Sequence, residues 1–289
     1  MKVLVTGAKG MLGTDLCQEW QARGYEMYAT DIQEMDVRDS LQVQKTFADF
    51  KPELVLHLAA LTDVDACERE PEQAYRTNTI GTQNVALACQ QANVPLVYIS
   101  TLSVFDGTKC ELYTEFDTPN PQSWYSRSKY EGEKIVEHLL QRYYIVRAGW
   151  MFGGGHEDKK FVAKIIELAG QRPELKIVND KFGSPTYTHD LARALIRLTQ
   201  TGWFGVYHSV NTGEPCSRYE FAQKVLEYAQ VTSCQLLPVN SAEFPLPAHR
   251  PRMEAGRNLH SELLGLELMR PWPIALREYI SATLVQGKD

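Results

Sequence analysis

Two side chains set four residues apart suggest proton chemistry. Tyr125 and Lys129 stand in the run Trp-Tyr-Ser-Arg-Ser-Lys, and on a helix that spacing puts both on one face. A free tyrosine loses its proton near pH 10, too high for efficient transfer near neutrality; a neighbouring ammonium stabilises the phenolate and lowers that value. Lys129 can also bond the ribose of a cofactor. Ser100-Thr101 closes a β-branched run upstream. In open α/β sheets ligands bind beyond the carboxyl ends of the strands. Thr101 is therefore expected to donate a hydrogen bond to a substrate carbonyl and polarise it, and Tyr125 to give the proton. Tyr-x-x-x-Lys is common by chance, so the weight comes from what precedes it.

Gly7, Gly10 and Gly13 follow the first apolar run at the spacing GxxGxxG. Glycines there allow a tight turn, close approach of backbone to a pyrophosphate, and close helix–strand packing. The helix that begins after them, with Met11 and Leu12 in its first turn, offers free N–H groups and a positive dipole end. Asp31 closes the second strand, 18 residues beyond Gly13. A carboxylate at that place accepts from ribose hydroxyls and repels a 2′-phosphate. Ile32 and Gln33 bring no cation beside it, so NAD(H) is favoured and NADP(H) is the second choice. Asp36 and Val37 lie in a loop suited to cover the adenine. Ala59 and Ala60 end the third strand, where small residues let a cofactor cross the sheet.

These residues need a particular scaffold. The pattern predicts strands over Lys2–Thr6, Glu26–Thr30, Leu54–Ala59, Leu96–Ser100 and Tyr144–Arg147, separated by helices over Met11–Arg23, Leu41–Phe50, Pro71–Ala92 and Ser123–Gln141. Strands alternating with helices imply an α/β fold, a doubly wound parallel sheet of the Rossmann type covered on both faces. Beyond Trp150 the pattern loosens. Helices are expected over Lys159–Ala169, Asp190–Leu198 and Arg218–Tyr228, strands over Lys176–Val178 and Val206–Val210, and a proline-bearing, loop-rich tail. Residues 1–149 are thus read as the nucleotide-binding domain and 150–289 as a smaller, mainly substrate-binding region. Residues 186–212 or so are expected to return to the main sheet.

Composition narrows the function classes. The chain has 289 residues, and its net charge of -6 argues against nucleic acid, which wants a basic stripe. No apolar run approaches the ~18 residues a membrane span needs. The opening MKVLVTGAKG lacks the long apolar core of a signal peptide. The six cysteines form no CxxC pair and are read as reduced thiols of a cytoplasmic protein. His156, His189, His208, His249 and His260 are scattered without ligand spacing, so no metal site is expected.

With these residues in place, the chain resembles the extended short-chain dehydrogenase/reductases, and within them the dTDP-4-dehydrorhamnose reductase family. The resemblance runs over nearly the whole length. Val5 to Gly13 is similar to the family's opening fingerprint, and Ala59-Ala60-Leu61-Thr62-Asp63-Val64-Asp65 to its AAYTxVD loop. Asn78 to Val85 resembles the helix whose asparagine supports the active site. Ser100-Thr101 with Val104-Phe105-Asp106-Gly107, Tyr125 to Glu133, Arg147 to Trp150, Gly183 to Thr186 and Ala248 to Pro251 resemble later motifs in order. The resemblance implies NAD(P)H-dependent reduction of the C4 ketone of a nucleotide-linked 4-keto-6-deoxyhexose, dTDP-4-dehydro-L-rhamnose to dTDP-L-rhamnose. It implies catalytic roles for Thr101, Tyr125 and Lys129. It also implies cofactor contacts at Gly10, Met11, Leu12, Asp31, Asp36, Val37 and Ala59 to Leu61, and packing of Trp150 on the sugar nucleotide.

Three segments depart from the family's pattern. Leu102-Ser103 replaces an Asp-Tyr pair after the threonine, Lys160-Phe161 replaces Asn-Phe, and Arg252-Met253-Glu254-Ala255 replaces the tail after Arg250-Pro251. All three lie on the expected substrate side, which suggests an altered substrate. Trp150 can stack on a base or sugar face or belong to the core. Arg250 suits a diphosphate or a surface ion pair, and Lys160 a phosphate or solvent. A homodimer, with Pro71–Ala92 as a candidate face, stays open. So do two other functions: an epimerase of the same superfamily that recycles its hydride, and a non-catalytic nucleotide-binding regulatory subunit.

Overall fold

The computed structural model describes residues 1–155 and 160–286. Strands β1 (Lys2–Thr6), β2 (Glu26–Thr30), β3 (Leu54–His57), β4 (Leu96–Thr101) and β5 (Tyr143–Ala148) alternate with helices α1 (Met11–Gln21), α2 (Ser40–Phe50), α3 (Val64–Arg69), α4 (Pro71–Ala74), α5 (Gly81–Ala92) and α6 (Trp124–Leu139). The second half supplies β6 (Trp150–Phe152), α7 (Phe161–Gln171), β7 (Glu174–Val178), β8 (Phe182–Gly183), β9 (Pro185–Tyr187), α8 (Thr188–Thr201) and β10 (Gly205–His208). It ends with β11 (Cys216–Ser217), α9 (Arg218–Tyr228), β12 (Gln235–Val239), β13 (Met253–Glu254), α10 (Leu259–Leu263) and α11 (Trp272–Gln286).

The main sheet has six parallel strands in the order β10-β5-β4-β3-β1-β2. This is the doubly wound arrangement that the alternation predicts. Its central strands are apolar on both faces, as a sheet covered by helices on each side requires. Val3 and Val5 of β1 join the cluster under α1 and α8, whereas Leu4 joins the cluster under α2, α5 and α6. Strand β10 forms the edge beside β5, so the chain returns from the smaller lobe to complete the sheet. A separate apolar cluster, including Phe152, Phe221, Leu276 and Ile280, builds the smaller lobe around α7, α9 and α11.

Two elements differ from the expected pattern. Pro71–Ala92 is one continuous helical path, but Tyr75–Ile80 within it is a π-helical turn. Such a turn inserts an extra residue and re-aims the side chains around it. The tail, expected to be loop, carries the 15-residue helix α11. Pro273 is tolerated there because it is the second residue of the helix, where the missing N–H has no acceptor in any case. No helix among the described residues is long and apolar enough to cross a membrane.

Trp20 ties the two halves of the chain together. It is fully buried, and its Nε1 donates to the Ala192 carbonyl 3.1 Å away, pinning α1 to α8. Trp20→Ala is expected to cost ~3–5 kcal/mol of unfolding free energy, from the cavity and the lost hydrogen bond. Denaturant unfolding checks this, and a loss below ~1 kcal/mol would show that the contact is dispensable.

Candidate active site

A cleft of about 1370 Å³ runs along the carboxyl ends of the main-sheet strands, and the smaller lobe forms its far wall. Near β1 the chain turns sharply through Gly7 and enters α1. A Cβ built at Gly13 would lie 2.5 Å from the carbonyl oxygens of Gly7 and Ala8, so only glycine lets the helix come this close. Gly10, the residue before the first turn of α1, supplies no side-chain cap. Helices α2, α6 and α9 are all capped by side chains. The first N–H groups of α1 thus remain available to an anion. Gly7, Gly10, Met11, Leu12, Gly13, Asp31, Asp36, Val37, Ala59, Ala60 and Leu61 all line this part of the cleft.

Asp31 is held by short backbone contacts. Its carboxylate accepts from Lys9 N at 3.1 Å and from its neighbour Ile32 N at 2.8 Å. The fold also brings two cations to this end. Lys9 and Arg38 both line the cleft, Lys9 paired to Glu34 at 2.6 Å and Arg38 to Asp36 at 2.7 Å. Arg38 holds the Asp36 carboxyl below the usual carboxylate range. The expectation that no cation stands near Asp31 is therefore corrected, and the case for NAD(H) over NADP(H) falls with it. A search restricted to the residues next to Asp31 in sequence could not find Lys9, which lies in the glycine turn, or Arg38, in the following loop.

Helix α6 carries Tyr125 and Lys129 into the middle of the cleft. Its start is fixed by a reciprocal cap, Ser126 N donating to Ser123 Oγ and Ser123 N to Ser126 Oγ. The π-helical turn then clamps it. Asn78 Nδ2 donates to Ser128 Oγ at 3.0 Å and to Leu61 O at 3.1 Å, while Asn78 Oδ1 accepts from Leu61 N at 2.8 Å. Ser128 lies between the two catalytic candidates and donates to the Tyr125 carbonyl. From β4, Tyr98 donates its hydroxyl to Lys129 O at 3.1 Å, and the Lys129 Nζ lies 4.1 Å from the centre of the Tyr98 ring.

The Thr101 side chain acts on the Tyr125 phenol from the end of β4. Thr101 Oγ1 also accepts from Ser103 N at 3.1 Å. Thr101 itself is not on the cleft wall, which at the end of β4 is formed by Ser100 and Ser103. Burial pushes the Tyr125 phenol above its ordinary value, and Thr101 opposes this. Burial pushes the Lys129 ammonium down to about 7, with Glu133 acting the other way. The phenol is thus raised rather than lowered, contrary to the sequence-based expectation, because loss of water dominates and the Cys67 and Glu254 side chains add to it. A protonated phenol is the form that a proton donor needs. Ser100 Oγ is buried beside it without a hydrogen-bond partner among the described residues. An orphaned hydroxyl, an uncapped helix start and a glycine cradle are what a dinucleotide would satisfy.

On the far wall stand Trp150, Lys160 and Arg250. Arg250 pairs with Asp65 at 3.0 Å, and Lys160 Nζ approaches Thr62 Oγ1 at 3.4 Å. His156 and Lys159 fall outside the described residues. No group of residues that could hold a metal ion occurs among the described ones. Three groups that line the cleft are absent from the sequence-based set of site residues. Ser103 and Glu254 sit at the departures from the family's pattern, which was the signal available. Arg218 begins α9 and was read only as a helix boundary.

Residues 1–285 match the family model described as the RmlD substrate binding domain. The chain is 37% identical over 279 residues to the spore coat polysaccharide biosynthesis protein SpsK of Bacillus subtilis, covering 96% of each. It is 35% identical over 286 residues to a dTDP-4-dehydrorhamnose reductase of Mycobacterium tuberculosis, covering 97% of this chain and 93% of that one. A solved dTDP-4-dehydrorhamnose reductase of Bacillus anthracis, in complex with NADP, superposes with a TM-score of 0.94 at 39% identity over 98% of this chain and 99% of that one.

Lys129 gives a pH test. Its folded value of about 7 lies below the ~10.4 of an unfolded lysine. Below pH 7 both states hold the proton and the full burial cost is present. Between roughly pH 7 and 10 only the unfolded chain holds it, so stability rises with pH. In Lys129→Met this contribution vanishes. The stability of wild type relative to the variant is expected to climb from pH 7 to 10 and stay flat from 5 to 6.5 in denaturant titrations. Parallel curves would mean that Lys129 is not desolvated.

Proposed function

The chain belongs to the RmlD family, that of the dTDP-4-dehydrorhamnose reductases, and on that premise we propose that it reduces the C4 ketone of a nucleotide-linked 4-keto-6-deoxyhexose at the expense of NAD(P)H. The preferred substrate in this reading is dTDP-4-dehydro-L-rhamnose, giving dTDP-L-rhamnose. The observation that carries the reading is that Tyr125 and Lys129, one helical turn apart on α6, both line the cleft, with Thr101 at the end of β4 acting on the Tyr125 phenol.

Bound NAD(P)H supplies the hydride. The chain's own residues do the rest. The glycine turn and the N-terminus of α1 hold the diphosphate, and Asp31 the adenosine ribose. Tyr125 presents its hydroxyl to the ketone oxygen, and Thr101, half-buried and not itself on the cleft wall, turns its hydroxyl to the same oxygen when substrate binds, polarising the carbonyl before reduction. Tyr125 gives its proton to the oxygen as negative charge develops there. Lys129, charged at and below neutrality, stabilises the phenolate that remains and bonds the nicotinamide ribose. Trp150, Lys160 and Arg250 bind the nucleotide sugar from the smaller lobe.

Both NADH and NADPH are accepted in this reading. Lys9 and Arg38 can turn from Glu34 and Asp36 toward a 2′-phosphate, offsetting the repulsion of Asp31. A relative bearing NADP favours the same view. An epimerase finds no comparable support, since relatives over 30% identical, those of Mycobacterium tuberculosis and Streptomyces niveus among them, are named as reductases.

The test is oxidation of NADH and of NADPH with dTDP-4-dehydro-L-rhamnose. Wild type is expected to consume one cofactor per keto sugar with either. Tyr125→Phe should turn over ~10²–10⁴-fold more slowly through loss of the general acid, with cofactor affinity nearly intact. Undiminished turnover in Tyr125→Phe would remove that residue from the mechanism. Catalysis without net cofactor consumption would point to an epimerase.

A further inference from the structure

The sugar end of the cleft holds two opposite charges that do not meet. Glu254, in β13, is fixed at the edge of the Trp150 indole: Trp150 Nε1 donates to Glu254 Oε2 at 3.1 Å, and Ser103 Oγ donates to Glu254 Oε1. Arg218, the first residue of α9, lies on the face of the same indole, its guanidinium carbon 3.5 Å from the ring centre. The indole cannot yield, since Gly183 packs so closely that an added Cβ would sit 2.2 Å from it. All four side chains but Ser103 come from the second half of the chain, and all four line the cleft.

The other cations of this wall are engaged. Arg250 pairs with Asp65 and Lys164 with Glu167. The Arg218 guanidinium makes no hydrogen bond or ion pair with a described residue, only its stacking on Trp150 and Phe161. Burial lowers its ordinary affinity for the proton, to about 10, and the charge of Glu254 works against that. A half-buried guanidinium and a nearby carboxylate would gain by direct contact. Here Trp150 and Ser103 hold the carboxylate on one side and the indole face holds the guanidinium on another. That leaves Arg218 donors and Glu254 lone pairs without protein partners among the described residues, on two residues that line the same cleft.

We propose that Glu254 and Arg218, kept apart by the Trp150 indole, form a clamp for the hydroxyl-bearing hexose ring of the substrate, one ring hydroxyl donating to Glu254 and accepting from Arg218. The clamp rests on the nucleotide-sugar reading given above. It makes the sugar, rather than the diphosphate, the part that Arg218 reads. It also explains why Ser103 and Glu254 occur together, as donor and acceptor of one bond.

Calorimetric titration with dTDP and with dTDP-glucose separates the possibilities, using wild type, Glu254→Gln and Arg218→Leu. Wild type is expected to bind both, dTDP-glucose the more tightly. Each variant should lose about 10–100-fold in affinity for dTDP-glucose, the range of a hydrogen bond to a charged group, while its affinity for dTDP stays within twofold. A glutamine side chain can keep both bonds, its Oε1 accepting from Trp150 Nε1 and its Nε2 donating to Ser103 Oγ, so a merely structural role for Glu254 predicts no change in Glu254→Gln. Equal losses for dTDP and dTDP-glucose in Arg218→Leu would assign Arg218 to the diphosphate and overturn the clamp. Unaltered binding in both variants would overturn it as well. Wild type that binds neither ligand would instead sink the nucleotide-sugar function itself, and the clamp with it. Unchanged NADPH affinity and melting temperature confirm that each variant is folded.

Discussion

The docking of α6 against the end of β4 governs the rest of the molecule. One helix brings a phenol, an ammonium and a serine to the carboxyl edge of the sheet, and it does so only because it cannot rotate. Its start is capped by Ser123 and Ser126, its middle is clamped by Asn78 through Ser128, and its inner side is pinned by Tyr98. A rotation of even part of a turn would carry Tyr125 away from Thr101. The burial that fixes the helix also sets the chemistry. It holds the proton on Tyr125 and loosens the one on Lys129, so that the protonation states near neutrality follow from packing rather than from the pair acting on each other.

Around this centre the two halves of the chain divide the labour by charge as well as by position. The chain is acidic overall, yet the cleft collects Lys9 and Arg38 near the glycine turn and Lys160, Lys164, Arg218 and Arg250 on the far wall. Local fields in a cleft, rather than net charge, steer and hold a charged ligand. Most of these cations rest on carboxylates, Glu34, Asp36, Asp65 and Glu167 among them. The site is thus preorganised without exposing a bare basic surface. Arg218 instead stacks on Trp150, whose indole nitrogen donates to Glu254.

Much of this was legible in the sequence because it rests on local rules. Strand–helix alternation gave the six-stranded parallel sheet, glycine spacing the tight turn into α1, and the four-residue step Tyr125 and Lys129 on one helix. What escaped were features created by distance in sequence. The π-helical turn at Tyr75–Ile80 keeps helical periodicity nearly intact, so the apolar pattern reads as one helix. Helix α11 hides behind Pro271 and Pro273, residues that usually mark loops but suit a helix start. Lys9 and Arg38 reach Asp31's surroundings only through the fold of the turn and loop. The desolvation that reverses the expected shift of Tyr125 depends on everything packed around it, which no pair of residues encodes.

The central claim is that the Thr101 and Tyr125 hydroxyls converge on one oxygen of the sugar. A crystal structure of the protein with NADP⁺ and dTDP-L-rhamnose tests it most directly. The account predicts that Tyr125 Oη and Thr101 Oγ1 both lie within ~3.2 Å of the C4 oxygen, the reach of a transferable proton. A bound sugar whose C4 oxygen meets neither hydroxyl, with Tyr125 instead facing protein or solvent, would contradict it.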